Sequence, residues 1–452
     1  MLLGLLLAAL LLARGASADD ARFLVLPPPR AITADGPPRA LAPAFSFHLQ
    51  GAGAQSPLLL AAAARETAHI RASLAAAAAA AAALPAQRLP ARPEQPLQGA
   101  VLDVASASEA LGARTDVSYT LAAAPGDARV RIAAKTVFGA LAGLTSLRQL
   151  LARGGGGALP HGALRLDDAP AWPHRGIMLD AGRRFFPVAL VENIIDTMAL
   201  LKMSLLHLHV SDECRFGIES KLFPNLTARL VGDYGGFYTQ EDVRALVAYG
   251  LARGVRIMLE IDVPGHSRGL LPLAGYGAVF CDPADATCSQ MFGDPANKTY
   301  DVLTALLGEM VPLFQDDVVH IGADETGVVG VCTTQSTFAV ERLVLDYLQN
   351  TLGKTPAGWE EVLFDASAAT PQTVVYSWSR HNPSEVAARG YSVVNNNASH
   401  FYTTRPGGTY RAWGRAPLPR APHPSSAAQG HSPGTLPPPP PLRSRRLGGV
   451  LF

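Results

Sequence analysis

Cysteine is scarce: Cys214, Cys281, Cys288 and Cys332 are the four in 452 residues. They are too few for a disulfide scaffold and lack the paired CxxC spacing of a zinc site, so one or two structural bridges are expected. A charge excess is missing too. Lys plus Arg number 38 against 37 Asp plus Glu, a formal net charge of +1, which leaves no basic surplus to neutralise phosphates and speaks against nucleic acid as a partner. The expected ligand is neutral. After the N-terminus no apolar run reaches the roughly 20 residues of a membrane-spanning helix, so a soluble mature protein is expected. With 48% hydrophobic and 17% charged residues the chain is not mainly disordered, and its length allows two or three packed domains.

The first 18 residues read as a secretory signal: a short apolar stretch from Met1 to Ala13, then Ala16-Ser-Ala18 before two aspartates. Sequons at Asn225, Asn297 and Asn397 fit passage through a glycosylating compartment, with a lysosome or vacuole or the extracellular space as destination. Residues 19–165 are rich in Ala, Pro and Gly and read as a small α+β domain. Ser118–Leu121 and Ala128–Ile132 alternate like strands, and Thr136–Leu151 is apolar at helical spacing. The alanine run Ala75–Ala83 either continues a helix or is a surface expansion; propensity alone does not decide.

From Trp172 onward short apolar runs alternate with amphipathic helices, the pattern of parallel βα units. The runs are Arg175–Asp180, Leu205–Val210, Arg256–Ile261, Val318–Gly322, Thr355–Trp359, Thr373–Ser377 and Ser392–Asn395, and Thr239 with Asp242 forms a capping box for the helix that starts at Gln240. A (β/α)8 barrel needs eight such strands and carries its catalytic groups at their C-terminal ends. The residues ending these runs are Asp180, Asp212 with Glu213, Asp262 with His266, Asp324 with Glu325, Trp359 with Glu360, Trp378 and Tyr402. The expectation is an α/β TIM barrel over 172–412 with about seven strands and the eighth missing. Residues 413–452, which turn Pro-rich, are expected to be a disordered tail.

His320-Ile-Gly-Ala-Asp-Glu325 ends a buried strand in two adjacent carboxylates. Their repulsion in a sheltered site favours raising one pKa, so that a carboxylic acid can protonate a leaving oxygen; the plainer alternative is an acidic helix cap. His207-x-His209 with His266, His320 and Asp324 also admits a metal-dependent barrel hydrolase.

In order along the chain, His174-Arg-Gly-Ile-Met-Leu-Asp180 with Arg183, His207–Asp212, Glu260–His266, His320–Glu325, Gly358–Glu361, Tyr376–Trp378 and Phe401-Tyr402 closely resemble the motifs of family 20 glycoside hydrolases. These are the β-N-acetylhexosaminidases that include the lysosomal hexosaminidase subunits. The resemblance implies a small α/β domain before the barrel and retaining exo-hydrolysis of terminal N-acetylhexosamines, with the substrate's 2-acetamido oxygen as nucleophile and no metal or cofactor. Carried over by position, it makes Glu325 the acid and base and Asp324 the group that orients the acetamido N–H. Asp212 and His266 become a relay to Glu325, Arg175 the fork onto sugar hydroxyls, Tyr402 a donor to the acetamido oxygen, and Trp359 and Trp378 walls of an apolar box. It further implies a Cys281–Cys332 bridge and, from animal relatives, a homodimer.

The chain departs from the family pattern at Ala323, where a second glycine is usual, and at Thr404, where Asp or Asn is usual. It also lacks the eighth-strand tryptophan and glutamate; Trp413-Gly414 echoes them without the glutamate. The apparent C-terminal truncation keeps a catalytically inactive, secreted sugar-binding homologue open as the alternative. Gluco and galacto substrates are not distinguished.

Overall fold

The computed structural model describes residues 24–82, 95–213, 215–228, 230, 235–281, 291–292, 298–325, 334–364, 368–398 and 446–451. In the first domain, strands β1 (Ala31–Asp35), β2 (Arg39–Gln50), β3 (Leu97–Val104), β4 (Tyr119–Ala123), β5 (Arg129–Ala134), β6 (Ala158–Leu159) and β7 (Ala163–Asp168) form a mixed sheet in the order β1-β7-β4-β5-β3-β2-β6. The alternation that marks β4 and β5 in the sequence is the burial pattern: Tyr119, Leu121, Ala123, Val130 and Ile132 face the core, while Arg129 and Arg131 face solvent. Helices α1 (Pro57–Ala82) and α2 (Val137–Arg153) pack on this sheet. Thr136 caps α2 by accepting from Gly139 N at 3.0 Å. Its Leu144, Leu147 and Leu151 share one buried face. Residues 75–82 of the alanine run continue α1.

The second domain contains β8 (Gly176–Asp180), β9 (Leu205–His209), β10 (Arg256–Glu260), the short antiparallel pair β11 (Val279–Phe280) and β12 (Met291–Phe292), β13 (Val318–His320), β14 (Thr355–Trp359), β15 (Val374–Ser377), β16 (Ser392–Asn395) and β17 (Arg446–Leu451). Eight of these close a parallel barrel in the order β8-β9-β10-β13-β14-β15-β16-β17. The surrounding helices are α3 (Val188–Leu200), α4 (Gln240–Leu251), α5 (Thr299–Met310), α6 (Thr334–Asp346) and α7 (Pro383–Ala388). The capping box of Thr239 and Asp242 is present at the start of α4. On α3, Val191, Ile195 and Met198 are buried at spacings of four and three, the stripe a helix needs to cover a barrel.

The expected absence of an eighth strand is corrected by β17, which pairs Arg446 and Gly449 with Val393 and Asn395, and Val450 and Leu451 with Gly176 and Ile177. Closure satisfies the edges that β8 and β16 would otherwise leave open. Residues 446–451 are therefore strand and not tail, whereas 413–445 and the N-terminal signal lie outside the described residues. Among the described residues, no helix is long and apolar enough to cross a membrane. The domains meet where Gln149 Nε2 donates to Leu200 O at 2.8 Å and Lys202 Nζ reaches Tyr119 Oη at 2.9 Å and Asp168 Oδ2 at 3.1 Å.

Candidate active site

Alternation along the barrel strands turns His207, His209, Glu260, His320 and Trp359 inward as one buried layer. Glu260 is its centre: Oε2 lies 2.6 Å from His207 Nε2 and 3.0 Å from His209 Nδ1, and Oε1 lies 3.1 Å from His320 Nδ1 and accepts the Trp359 indole N–H at 3.0 Å. Burial alone would raise the Glu260 carboxyl, but the imidazoles of His209, His320 and His207 outweigh it and hold it well below the usual range. Donor atoms of His207, Glu260 and His320 come within 4.8 Å of one another. His207 and His209, the pair weighed as metal ligands, both lie against the Glu260 carboxylate, in an arrangement close enough to hold an ion.

Above it, Asp212 and His266 come together at the C-terminal ends of β9 and β10. His266 Nδ1 is 3.4 Å from Asp212 Oδ1, and its Nε2 is 3.1 Å from Glu325 Oε2 and 3.6 Å from Asp324 Oδ2. Burial works against an imidazolium here, but the bonds to Asp212 and Glu325 and the charges of Asp262 and Asp324 overcome it, so His266 is held protonated far above its ordinary range. Asp212 is buried, which would raise its pKa; hydrogen bonds from His209 and His266 drive it below the carboxylate range instead.

The acidic pair sits on a strained turn after β13. Gly322 has φ 69°, Ala323 φ 68° and Glu325 φ 53°. Glycine is required at 322, because a Cβ there would stand 1.9 Å from Asp262 Oδ1. Asp262 itself, recognised in the sequence only as a strand-end residue, accepts from Ala323 N at 3.0 Å and organises the turn. Burial and the Asp324 charge hold Asp262 well above the usual carboxylate range. Burial raises Asp324 as well, against the His266 charge. Glu325 moves the other way: the hydrogen bond from His266 lowers it, with burial opposing. The carboxyl raised by its surroundings is therefore at 262 and 324, and not at 325.

Trp359 is buried in the floor beside His207, His320 and Tyr376, and Trp378 packs on the same cluster while staying partly exposed. The Trp378 indole donates to Glu361 Oε2 at 3.1 Å. Burial first, then the Asp324 charge, push Glu361 up to about 7.

The expectation for Arg175 is overturned. It precedes β8, at the N-terminal end of the barrel, where its guanidinium donates to Lys202 O at 2.8 and 3.0 Å and to Trp172 O at 2.6 Å. There it lines a cavity between the domains with Tyr119, Phe138 and Lys202. The arginine that reaches the mouth is Arg183, which follows β8 and lies 2.8 Å from both Asp180 Oδ2 and Asp212 Oδ2, with its side chain 49% exposed. Strand polarity was the available signal, since barrel sites form at strand C-termini. Tyr402, Thr404 and Trp413 lie outside the described residues. Cys281 is disulfide-bonded, and Cys214, Cys288 and Cys332 lie outside the described residues.

The profile of the glycosyl hydrolase family 20 catalytic domain matches residues 172–415, and one described as beta-acetyl hexosaminidase like matches residues 25–150. A beta-hexosaminidase of Emericella nidulans is 30% identical over 355 residues, covering 69% of this chain and 57% of the relative. Beta-hexosaminidase subunit alpha of Mus musculus is 29% identical over 289 residues, covering 59% of this chain and 54% of the relative. The chain thus spans little more than half the length of these curated relatives. The Streptomyces plicatus N-acetyl-beta-hexosaminidase in complex with Thio-NAglucal superposes with a TM-score of 0.61 at 25% identity, covering 84% of this chain and 75% of that one. The Flavobacterium johnsoniae chitobiase, at 24% identity and a TM-score of 0.65 over 83% of this chain and 59% of that one, shares the fold.

Proposed function

Because the chain belongs to glycosyl hydrolase family 20, we propose that it is a retaining exo-β-N-acetylhexosaminidase, removing terminal N-acetylglucosamine or N-acetylgalactosamine by substrate-assisted catalysis. The observation that carries this reading is the 3.1 Å contact of His266 Nε2 with Glu325 Oε2, with Asp212 on the ring's other nitrogen. It is a proton store beside a carboxylate at the barrel mouth.

In the free protein that proton rests on His266. A sugar covering the mouth removes water from Glu325, whose side chain is 52% exposed, and dehydration raises its affinity for the proton. Glu325 then passes it to the glycosidic oxygen while the sugar's own 2-acetamido oxygen attacks the anomeric carbon. The bond to the leaving group breaks and an oxazolinium forms. Water, deprotonated by Glu325, reopens that ring with retention. Asp324 orients the acetamido N–H and offsets the positive charge of the intermediate, itself steadied by a hydrogen bond with Asp262. One adjacent pair suffices because the substrate supplies the nucleophile, so two carboxylates flanking the bond are not required.

Arg183 takes the role the resemblance assigned to Arg175, presenting a planar, permanently charged fork at the mouth. Trp359 and Trp378 wall the acetamido methyl, and Tyr402 donates to its oxygen. The sequence of β17, Arg446-Leu-Gly-Gly-Val-Leu451, holds neither tryptophan nor glutamate, so the box is proposed from the two indoles named.

The test is nitrophenol release from a nitrophenyl N-acetylglucosaminide by the full chain, with Glu325→Gln as control. Activity that survives a chelator and falls by about 10²–10⁴-fold in the variant supports the assignment. Equal rates for the two proteins would remove Glu325 from it, and loss on chelation would revive the metal-dependent alternative.

A further inference from the structure

The mechanism leaves two buried carboxylates of the barrel mouth unused. Glu360 and Glu361 follow Trp359 directly. Glu360 is fully buried, and its carboxylate accepts from the backbone N–H of Trp378 and Ser379 at 3.2 Å, of His381 at 3.0 Å and of Arg380, and from Ser377 Oγ at 3.2 Å. Four consecutive amides pointing at one carboxylate form an anion nest, with charge-assisted bonds. The turn after β15 is folded around this side chain. Glu361 takes the remaining handle, the indole N–H of Trp378, at 3.1 Å. Trp378 is therefore fixed twice, through its backbone by Glu360 and through its ring by Glu361.

We propose that Glu360 and Glu361 are positioning residues that hold Trp378 as a rigid wall of the acyl pocket and thereby set which 2-acyl groups the enzyme accepts. The inference rests on the hexosaminidase reading above. A pocket closed by a fixed indole discriminates by size, and one methylene in an apolar pocket changes rates by about 10–200-fold. A wall free to move forfeits part of that discrimination. Glutamine at 360 turns an NH2 toward amide donors and opens the nest. Glutamine at 361 keeps one acceptor for the indole but loses the second carboxyl oxygen, so one flip of the amide turns an NH2 toward the ring N–H.

The experiment compares nitrophenyl 2-deoxy-2-acylamino-β-glucosides bearing acetyl, propionyl and butyryl groups, using the full chain, Glu360→Gln and Glu361→Gln. The readout is the ratio of kcat/KM for butyryl over acetyl, in which the fraction of active protein cancels. The expected result is a rise of about tenfold in that ratio for Glu360→Gln and a smaller rise for Glu361→Gln, with the acetyl rate falling in both. Rates that fall in equal proportion for all three substrates, leaving the ratio unchanged, would overturn the proposal and leave a purely structural role. Should Glu360→Gln not fold, the ratio in Glu361→Gln decides alone. A wild-type chain inactive on every substrate overturns the hexosaminidase reading and this inference with it.

Discussion

His266 Nε2 stands 3.1 Å from Glu325 Oε2, and the two groups have their proton affinities pushed in opposite directions, His266 upward and Glu325 downward. The acid of the proposed reaction is therefore ionised at rest, and its proton is kept one hydrogen bond away.

Replacing His266 with Asn tests this arrangement. The imidazolium favours the ionised carboxylate, so its removal raises the pKa of Glu325 and moves the limb of the kcat/KM profile that Glu325 controls to higher pH. The rate should fall by about 10²-fold, the low end of a general acid–base contribution. A rate loss with an unmoved limb would argue against proton exchange between the two.

The two arginines that flank β8 should behave differently. Arg183→Ala removes the mouth-facing arginine proposed to bind sugar hydroxyls. It should lower kcat/KM by about 10²-fold, in keeping with roughly 1.5–3 kcal/mol for a hydrogen bond to a charged group. Arg175→Ala should leave kcat/KM per active site nearly unchanged and lower the unfolding midpoint, since its guanidinium bonds only carbonyls near the domain junction among the contacts described. Active-site titration beside thermal unfolding separates the two outcomes, and the reverse pattern would restore Arg175 to the site.

Ala323 is buried at φ 68°, a region that costs a non-glycine residue about 1–3 kcal/mol. Ala323→Gly removes that strain at the expense of a more flexible unfolded chain, worth about 0.5–1 kcal/mol. Chemical denaturation should show a net gain of about 1 kcal/mol with activity retained. A loss of stability would mean that the methyl's packing outweighs its conformational cost.

Glu361 is held at about 7 in the folded protein against an ordinary 4.5. Between those values the unfolded chain releases the proton while the folded chain keeps it, so the stabilisation present below 4.5 is lost as pH rises to about 7. Each unit of difference is worth about 1.4 kcal/mol. Glu361→Gln should therefore flatten the pH dependence of unfolding free energy and gain on the wild type as pH rises through this window. Parallel curves for the two proteins would contradict it.

Much of the barrel was legible because buried parallel strands are short apolar runs: Leu205–His209, Arg256–Glu260 and Thr355–Trp359 stand out between amphipathic helices. Asp324, Glu325, Asp212 and His266, which the fold brings together, were legible as strand-end residues. Two kinds of information were not. The strand Arg446–Leu451 has six residues, two of them glycine, after a long Pro-rich stretch, so no periodicity announces it; only the need to close a sheet does. The partners of Asp262 and Glu360 depend on turns from other strands, Gly322-Ala323 and Trp378–His381, and adjacency in sequence carries none of that. In the first domain, β1, β2, β3, β6 and β7 were missed because Ala, Pro, Gly and charged residues blur the alternation.

The bonds from Gln149 to Leu200 and from Lys202 to Tyr119 and Asp168 join the small domain to the barrel at the pole opposite the chemistry. A substitution at Gln149 or Lys202 would therefore loosen the docking of the two domains before it disturbed the barrel mouth.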